Sequence, residues 1–153
     1  MPNVLLVCSA NMCRSPMAEL LLKHELEQRG IAGWKVHSAG TNASVGWPAA
    51  RGAVEAMRKL NLDLSKHRSR CVTPAMMADA DLVLYMAQAN RAEMERLLEA
   101  VPERVIPLSN LAGRDDDIED PMGGPPEAFV DCANELRSII GAGLDWLEQR
   151  LER

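Results

Sequence analysis

Residues 4–19 read V-L-L-V-C-S-A-N-M-C-R-S-P-M-A-E. Val4–Val7 is a short, wholly apolar run, the pattern of a strand buried on both faces of a parallel sheet. After a loop, Pro16 sits where a first helical position is expected, because a missing N–H costs nothing there. Ala18, Leu21, Leu22 and Leu26 then follow at helical spacing, and Gly30 supplies a stop. A buried strand, a tight loop and a helix make half of a strand–helix–strand unit. In sheets built from such units, ligands bind at the carboxyl ends of the strands. Chemistry is therefore expected at Cys8 and just beyond it.

The rest of the chain continues the alternation. Trp34–Ser38 reads as a second strand, and Pro48 opens a helix with the stripe Ala50, Ala53, Val54 and Met57. Ala80–Met86 is the clearest strand; Arg91–Ala100 reads as a helix and Arg104–Leu108 as a last short strand. The stretch from Pro126 to Leu151 is one long helix with Phe129, Ala133, Leu136, Ile140, Leu144, Leu147 and Leu151 on one face. This order argues for an α/β fold, a parallel sheet with helices on both faces. The 153 residues fit one domain, residues 1–153.

Composition narrows the function. Hydrophobic residues are 47% and charged residues 25%, which is ordinary for a globular chain. A net charge of −5 with no basic block argues against nucleic-acid binding, and 3% aromatics leave no base-stacking platform. No apolar run near the start is long enough for a membrane span or a secretory signal, so the expected location is the cytoplasm, without membrane association. The four cysteines Cys8, Cys13, Cys71 and Cys132 form no C-x-x-C pair, so neither a disulfide framework nor a metal site is expected.

Cys8–Ser15 fits C-x5-R-S between a strand end and a helix start. A loop running into a helix N-terminus aims free N–H groups inward and adds the positive end of the dipole. The loop residues Ser9, Ala10, Asn11, Met12, Cys13, Arg14 and Ser15 would thus cradle a tetrahedral anion. Arg14 can clamp two phosphoryl oxygens with its planar fork. The same field favours a thiolate at Cys8, and a thiolate aimed at phosphorus is a nucleophile. Ser15 can hydrogen-bond that thiolate before attack and as it leaves. Asn11, in mid-loop, tolerates the left-handed backbone that a curled loop needs.

Taken with S-A-G-T (Ser38–Thr41), H-R-S-R (His67–Arg70) and D-P (Asp120-Pro121), in this order over nearly the whole chain, the sequence resembles the low-molecular-weight protein phosphatases. The resemblance implies a four-stranded parallel sheet and hydrolysis of phosphomonoesters through a cysteine nucleophile, with no metal and no cofactor. It implies a phosphorylated protein as partner and inorganic phosphate as product. Among the five acids of Asp115–Asp120, it assigns the general acid to Asp120, directly before Pro121; Asp117 and Glu119 are fallbacks. Pro121 restricts the backbone of Asp120, which helps to aim the carboxyl. The resemblance also makes Ser15, Ser38 and His67 polar supports of Asn11. Arg51, Arg68 and Arg70 read most simply as solvated. Cys13 matches a second loop cysteine that can trap oxidised Cys8 as a reversible disulfide, a redox-sensor pattern.

Some positions depart from the family pattern. Tyrosine-directed members carry aromatic walls where this chain has Ser44, with Trp47 three residues on, and Met122. Ala10 and Ala87 stand where glycine and an acid are usual. D-P-M-G-G resembles the D-P-[apolar]-G-G of the bacterial arginine-phosphatase branch, although that branch has a small Thr in place of Met12. Phosphotyrosine is the expected substrate and phosphoarginine the alternative. An arsenate reductase would need two further cysteines close in sequence, and Cys71 and Cys132 are far apart. A non-catalytic phosphate-binding module would have no need of both Cys8 and Asp120.

Overall fold

The computed structural model describes residues 1–97 and 101–152. Four parallel strands, β1 (Asn3–Cys8), β2 (Lys35–Gly40), β3 (Leu82–Tyr85) and β4 (Val105–Pro107), lie in the order β2-β1-β3-β4. Strand β1 is central. It pairs with β2 from Asn3↔Lys35 to Cys8↔Gly40 and with β3 from Val4↔Leu82 to Val7↔Tyr85. Its residues from Val4 to Cys8 are all buried, as a continuous apolar run requires. The pleat sends Val4, Leu6 and Cys8 into the core shared with α1 (Arg14–Gln28), α2 (Arg51–Arg58) and α5 (Pro126–Leu151). Leu5 and Val7 face the smaller core, where Met77 of α3 (Pro74–Asp79) and Met94 of α4 (Gln88–Leu97) are buried. The nucleophile candidate therefore leaves β1 on the side of the longest helix.

Helix α1 ends as its sequence suggests: Gly30 takes φ 69, and the Ile31 N–H reaches the carbonyl of Leu26 at 2.9 Å. The helix begins earlier than expected, at Arg14, so Pro16 lies inside its first turn. The helix expected to open at Pro48 starts at Arg51 instead: Ala50 is still extended, with ψ 141, and its N–H donates to the carbonyl of Met12 at 2.7 Å. Helix α4 starts at Gln88, three residues before the expected Arg91, because side chains cap it: Asp117 Oδ1 accepts from the Gln88 N–H and Asn90 Oδ1 from the Ala87 N–H. The expected end of that helix, residues 98–100, lies outside the described residues. Helix α3 was not anticipated, although Thr73-Pro74 carries its signal: Thr73 caps the Met76 N–H and Pro74 stands in the first turn. A short 3-10 turn at Leu108–Ala112 was also unread.

Gly40, at the end of β2, brings this frame against the loop after β1. A Cβ on Gly40 would stand 2.4 Å from the Ser9 carbonyl oxygen and 3.0 Å from the Asn11 nitrogen. Both are backbone atoms, which cannot swing aside. Gly40→Ala is therefore expected to lower stability by about 1–3 kcal/mol through overpacking and to weaken phosphate binding as the loop shifts. Urea unfolding and phosphate inhibition constants measure the two effects.

Candidate active site

The loop Cys8–Ser15 is held on both sides by the backbone of neighbouring elements. The Thr41 and Asn42 N–H groups donate to the carbonyls of Cys8 and Ser9, each at 2.9 Å. With Ala50 on Met12, both ends of the segment 41–50 are tied to the loop. Asn11 adopts φ 56, the left-handed conformation that its short polar side chain tolerates. Asn11 is fully buried, and its side-chain amide and its carbonyl are all partnered. Its amide donates to Ser15 Oγ at 2.8 Å and to Ser38 Oγ at 3.0 Å, and its Oδ1 accepts from the Arg70 N–H at 2.9 Å. Its carbonyl accepts from His67 Nε2 at 2.7 Å. Ser15, Ser38 and His67 thus all lie within hydrogen-bond distance of Asn11.

Cys8 Sγ lies 2.9 Å from Ser15 Oγ on the buried floor of the loop. Arg14 is 5% exposed, deep for a permanent charge, and so needs partners. Its Nη1 donates to the Ile118 carbonyl at 3.0 Å and its Nη2 lies 3.5 Å from Asp120 Oδ2. The remaining donors of its five are left for an anion. Asp120 is exposed, with Oδ1 accepting the Met122 N–H at 3.1 Å. Of the neighbouring acids, Asp117 is committed to capping α4 and Asp116 is paired with Arg114. Asp120 is therefore the acid of the cluster that meets Arg14. Ser9, Ala10 and Met12 are half-buried.

Cys13, beside Arg14, is 3% exposed, and burial pushes its thiol far above the ordinary range. Burial likewise pushes Cys132 up to about 12. Among the described residues no group of three or more His, Cys, Asp or Glu is placed to hold a metal, and no helix is long and apolar enough to cross a membrane.

Four contributors escaped the sequence reading. Arg70 is exposed but not merely solvated: besides its N–H on Asn11, its guanidinium reaches the Ser38 carbonyl at 3.2 Å and His37 Nδ1 at 2.9 Å. Asn90, fully buried, donates to Ser9 Oγ at 3.1 Å. Thr41 donates to Glu93 at 2.9 Å, and Glu19 accepts from Ser38 at 2.7 Å. A buried asparagine or a half-buried glutamate carries no signal in one sequence; only the folded chain shows what each touches.

The site is thus a loop with a buried cysteine and a buried arginine beside an exposed acid, set at the carboxyl end of the central strand of an α/β frame. The family model of the low molecular weight phosphotyrosine protein phosphatases matches residues 3–152, and the chain belongs to that family. It is 37% identical to a probable low molecular weight protein-tyrosine-phosphatase, EpsP, of Ralstonia solanacearum, over 94% of this chain and 91% of that one. It is also 33% identical to the protein-arginine-phosphatase of Bacillus subtilis, over 90% and 91%. The crystal structure of a YwlE mutant from Bacillus subtilis superposes with a TM-score of 0.90 at 31% identity, covering 97% of this chain and 99% of that one. The chain is thus a protein phosphatase, a hydrolase.

His37, behind Arg70, generates a pH prediction. Desolvation, helped by the charges of Arg70 and Lys35, lowers its pKa from 6.5 to about 4. The ring is thus neutral at pH 7, accepting from Arg70 at Nδ1 and donating to Asn3 Oδ1 at 2.8 Å. Between pH 6.5 and 4 the unfolded chain holds this proton and the folded chain does not. Stability is therefore expected to fall as pH drops through that window. Urea midpoints across it should decline less steeply in His37→Gln than in the parent.

Proposed function

We propose that the enzyme hydrolyses phosphotyrosine in proteins through a phosphocysteine intermediate on Cys8. The observation that carries this reading is the 2.9 Å contact of Cys8 Sγ with Ser15 Oγ, on the floor of a loop whose Arg14 is buried beside Asp120. The Cys8 thiolate attacks phosphorus in line, and the phosphorus–oxygen bond to the tyrosine breaks. Asp120 gives its proton to the departing oxygen. The same carboxylate then takes a proton from water, which attacks the phosphocysteine and releases inorganic phosphate. The Ser15 hydroxyl stabilises the thiolate as it leaves again. Arg14 and the loop N–H groups hold the charge spread over the phosphoryl oxygens in both steps. No step needs a metal or a cofactor.

Phosphotyrosine is supported by the probable tyrosine-phosphatase relative, 37% identical, and by Trp47, an aromatic side chain 55% exposed on the segment 41–50 that is tied to the loop. Phosphoarginine is the second reading. D-P-M-G-G and the arginine-phosphatase relative support it. Parallel turnover of phosphotyrosine and phosphoarginine peptides decides between them; the first should be favoured, and Trp47→Ala should narrow the difference.

Cys8→Ser should lose turnover by several orders of magnitude while the fold is kept, since no alkoxide forms at neutral pH. Arg14→Lys should also be severe, because an ammonium lacks the bidentate fork. Asp120→Asn should reduce kcat about 100- to 10,000-fold for poor leaving groups and much less for p-nitrophenyl phosphate. Asp117→Asn should not show that dependence on leaving group, because its carboxylate caps α4 instead. Mild peroxide should inactivate the enzyme through a Cys8–Cys13 disulfide that thiol reductant reverses. Peptide mass mapping locates the link, and Cys13→Ser should recover poorly.

A further inference from the structure

Both walls of a second cleft begin at the site. Ala50, tied to the loop at Met12, leads straight into α2, and four residues past Asp120 the chain reaches Gly124. Between α2 and the start of α5 lies a cavity of about 500 Å³, with Ala56, Phe129 and Val130 as apolar lining and Arg51 and Lys59 as exposed cations. Gly124 lines it as well, and Gly124 also lines the cavity that holds Asp120, so the two spaces adjoin. The cleft is preformed: α2 rests so closely on Phe129 that a Cβ on Gly52 would stand 2.4 Å from its ring.

The positive charges of this cleft are not matched within the chain. Arg51, Glu55 and Lys59 share one face of α2, four residues apart. Glu55 is paired with Arg58 at 2.9 Å. Among the described residues no carboxylate lies within ion-pair distance of Arg51 or Lys59. The surplus is regional: residues 51–70 hold six of the 17 Lys and Arg but only two of the 22 Asp and Glu, in a chain of net charge −5. Beyond Gly124 the sign reverses, with Glu119, Asp120, Asp131 and Glu135 lining the adjoining cavity. A negatively charged chain entering the site is thus attracted on one side of Gly124 and repelled on the other.

We propose that the cleft between α2 and α5 is a docking subsite for an acidic segment of the phosphoprotein substrate, held by Arg51 and Lys59 above the apolar lining. The inference rests on the proposed function of the neighbouring site and adds a flanking-sequence preference to it. Glutamate suits the cleft: its two methylenes can lie on Phe129 and Val130 while its carboxylate meets a cation. Nucleic acid is a poorer occupant, because the acids beyond Gly124 and the net charge of the whole chain repel a dense polyanion. Two exposed cations add modestly to affinity, and their effect falls mainly on the choice of partner and the rate of encounter.

The test is steady-state turnover of one phosphopeptide carrying Glu, Gln or Lys singly at positions on either side of the phosphoresidue, made with phosphotyrosine and again with phosphoarginine. With the full chain, Glu should raise kcat/KM over Gln about 3- to 10-fold at one or two positions, mainly through KM, and Lys should lower it. The preference should shrink as salt is raised. Arg51→Glu and Lys59→Glu should each weaken it, and the double variant should invert it, so that the Lys peptide becomes the better substrate. All values are taken relative to p-nitrophenyl phosphate, which is too small to reach the cleft, and an inverted preference cannot come from a damaged fold. No preference for Glu with either phosphoresidue, or a preference that both substitutions leave intact, overturns the proposal. Self-association lost in Lys59→Glu, with no flank preference, would give the cleft to a second copy of the chain and overturn it too. Turnover of neither peptide series, with p-nitrophenyl phosphate still hydrolysed, would overturn the protein-substrate reading together with the proposal.

Discussion

The site depends on the grip around Asn11. A loop must curl tightly enough for successive N–H groups to face one anion, and that requires a left-handed residue in its middle. An L-residue with a Cβ resists that conformation unless its surroundings over-determine it. Here the surroundings do so with four partners: Ser15 within the loop, Ser38 from β2, and His67 and Arg70 from the segment behind it. Every polar group of the buried Asn11 that these partners reach is satisfied, so the network rigidifies the loop instead of weakening the core. The shape of the loop is thereby fixed by its own contacts, and under the proposed function that preorganises it for the charge of a phosphoryl group.

The same economy governs the charges. Arg14 is carried into the interior by the first turn of α1, and its burial is tolerable because Ile118 and Asp120 approach it from the loop before α5. That loop is itself tied down: Ile118 donates its N–H to the Met86 carbonyl, and Asp117 caps α4. One acid of the cluster therefore serves the frame, a second pairs with Arg114, and a third meets Arg14. A run of five acids in six residues is ordinary surface in composition and specialised in placement.

The strands, the long last helix and the loop from Cys8 to Ser15 were legible because each has a local signal: an apolar run, a 3.6-residue period, a strand–loop–helix motif; Asp120 stood out from its acidic neighbours only through the family resemblance. Boundaries were less so. Gln88 starts α4 because a carboxylate 29 residues away caps it, and α2 waits until Arg51 because Ala50, tied to Met12, is extended in the fold. Neither cause is local. Arg70 read as solvated because its role lies mainly in its backbone N–H, which side-chain chemistry does not announce. Glu19, Thr41 and Asn90 were silent for the same reason: their meaning is tertiary contact.

The central claim, that the phosphoryl group passes through Cys8, has a direct measurement. The enzyme would be mixed rapidly with excess phosphotyrosine peptide, quenched in the steady state, digested and analysed by mass spectrometry. Asp120→Asn would be run beside it, to slow the hydrolysis step. The account predicts a phosphoryl group on the sulfur of the peptide carrying Cys8, more abundant in the variant relative to its turnover. A phosphoryl group on another residue, or turnover with no phosphorylated enzyme in either protein, would contradict it.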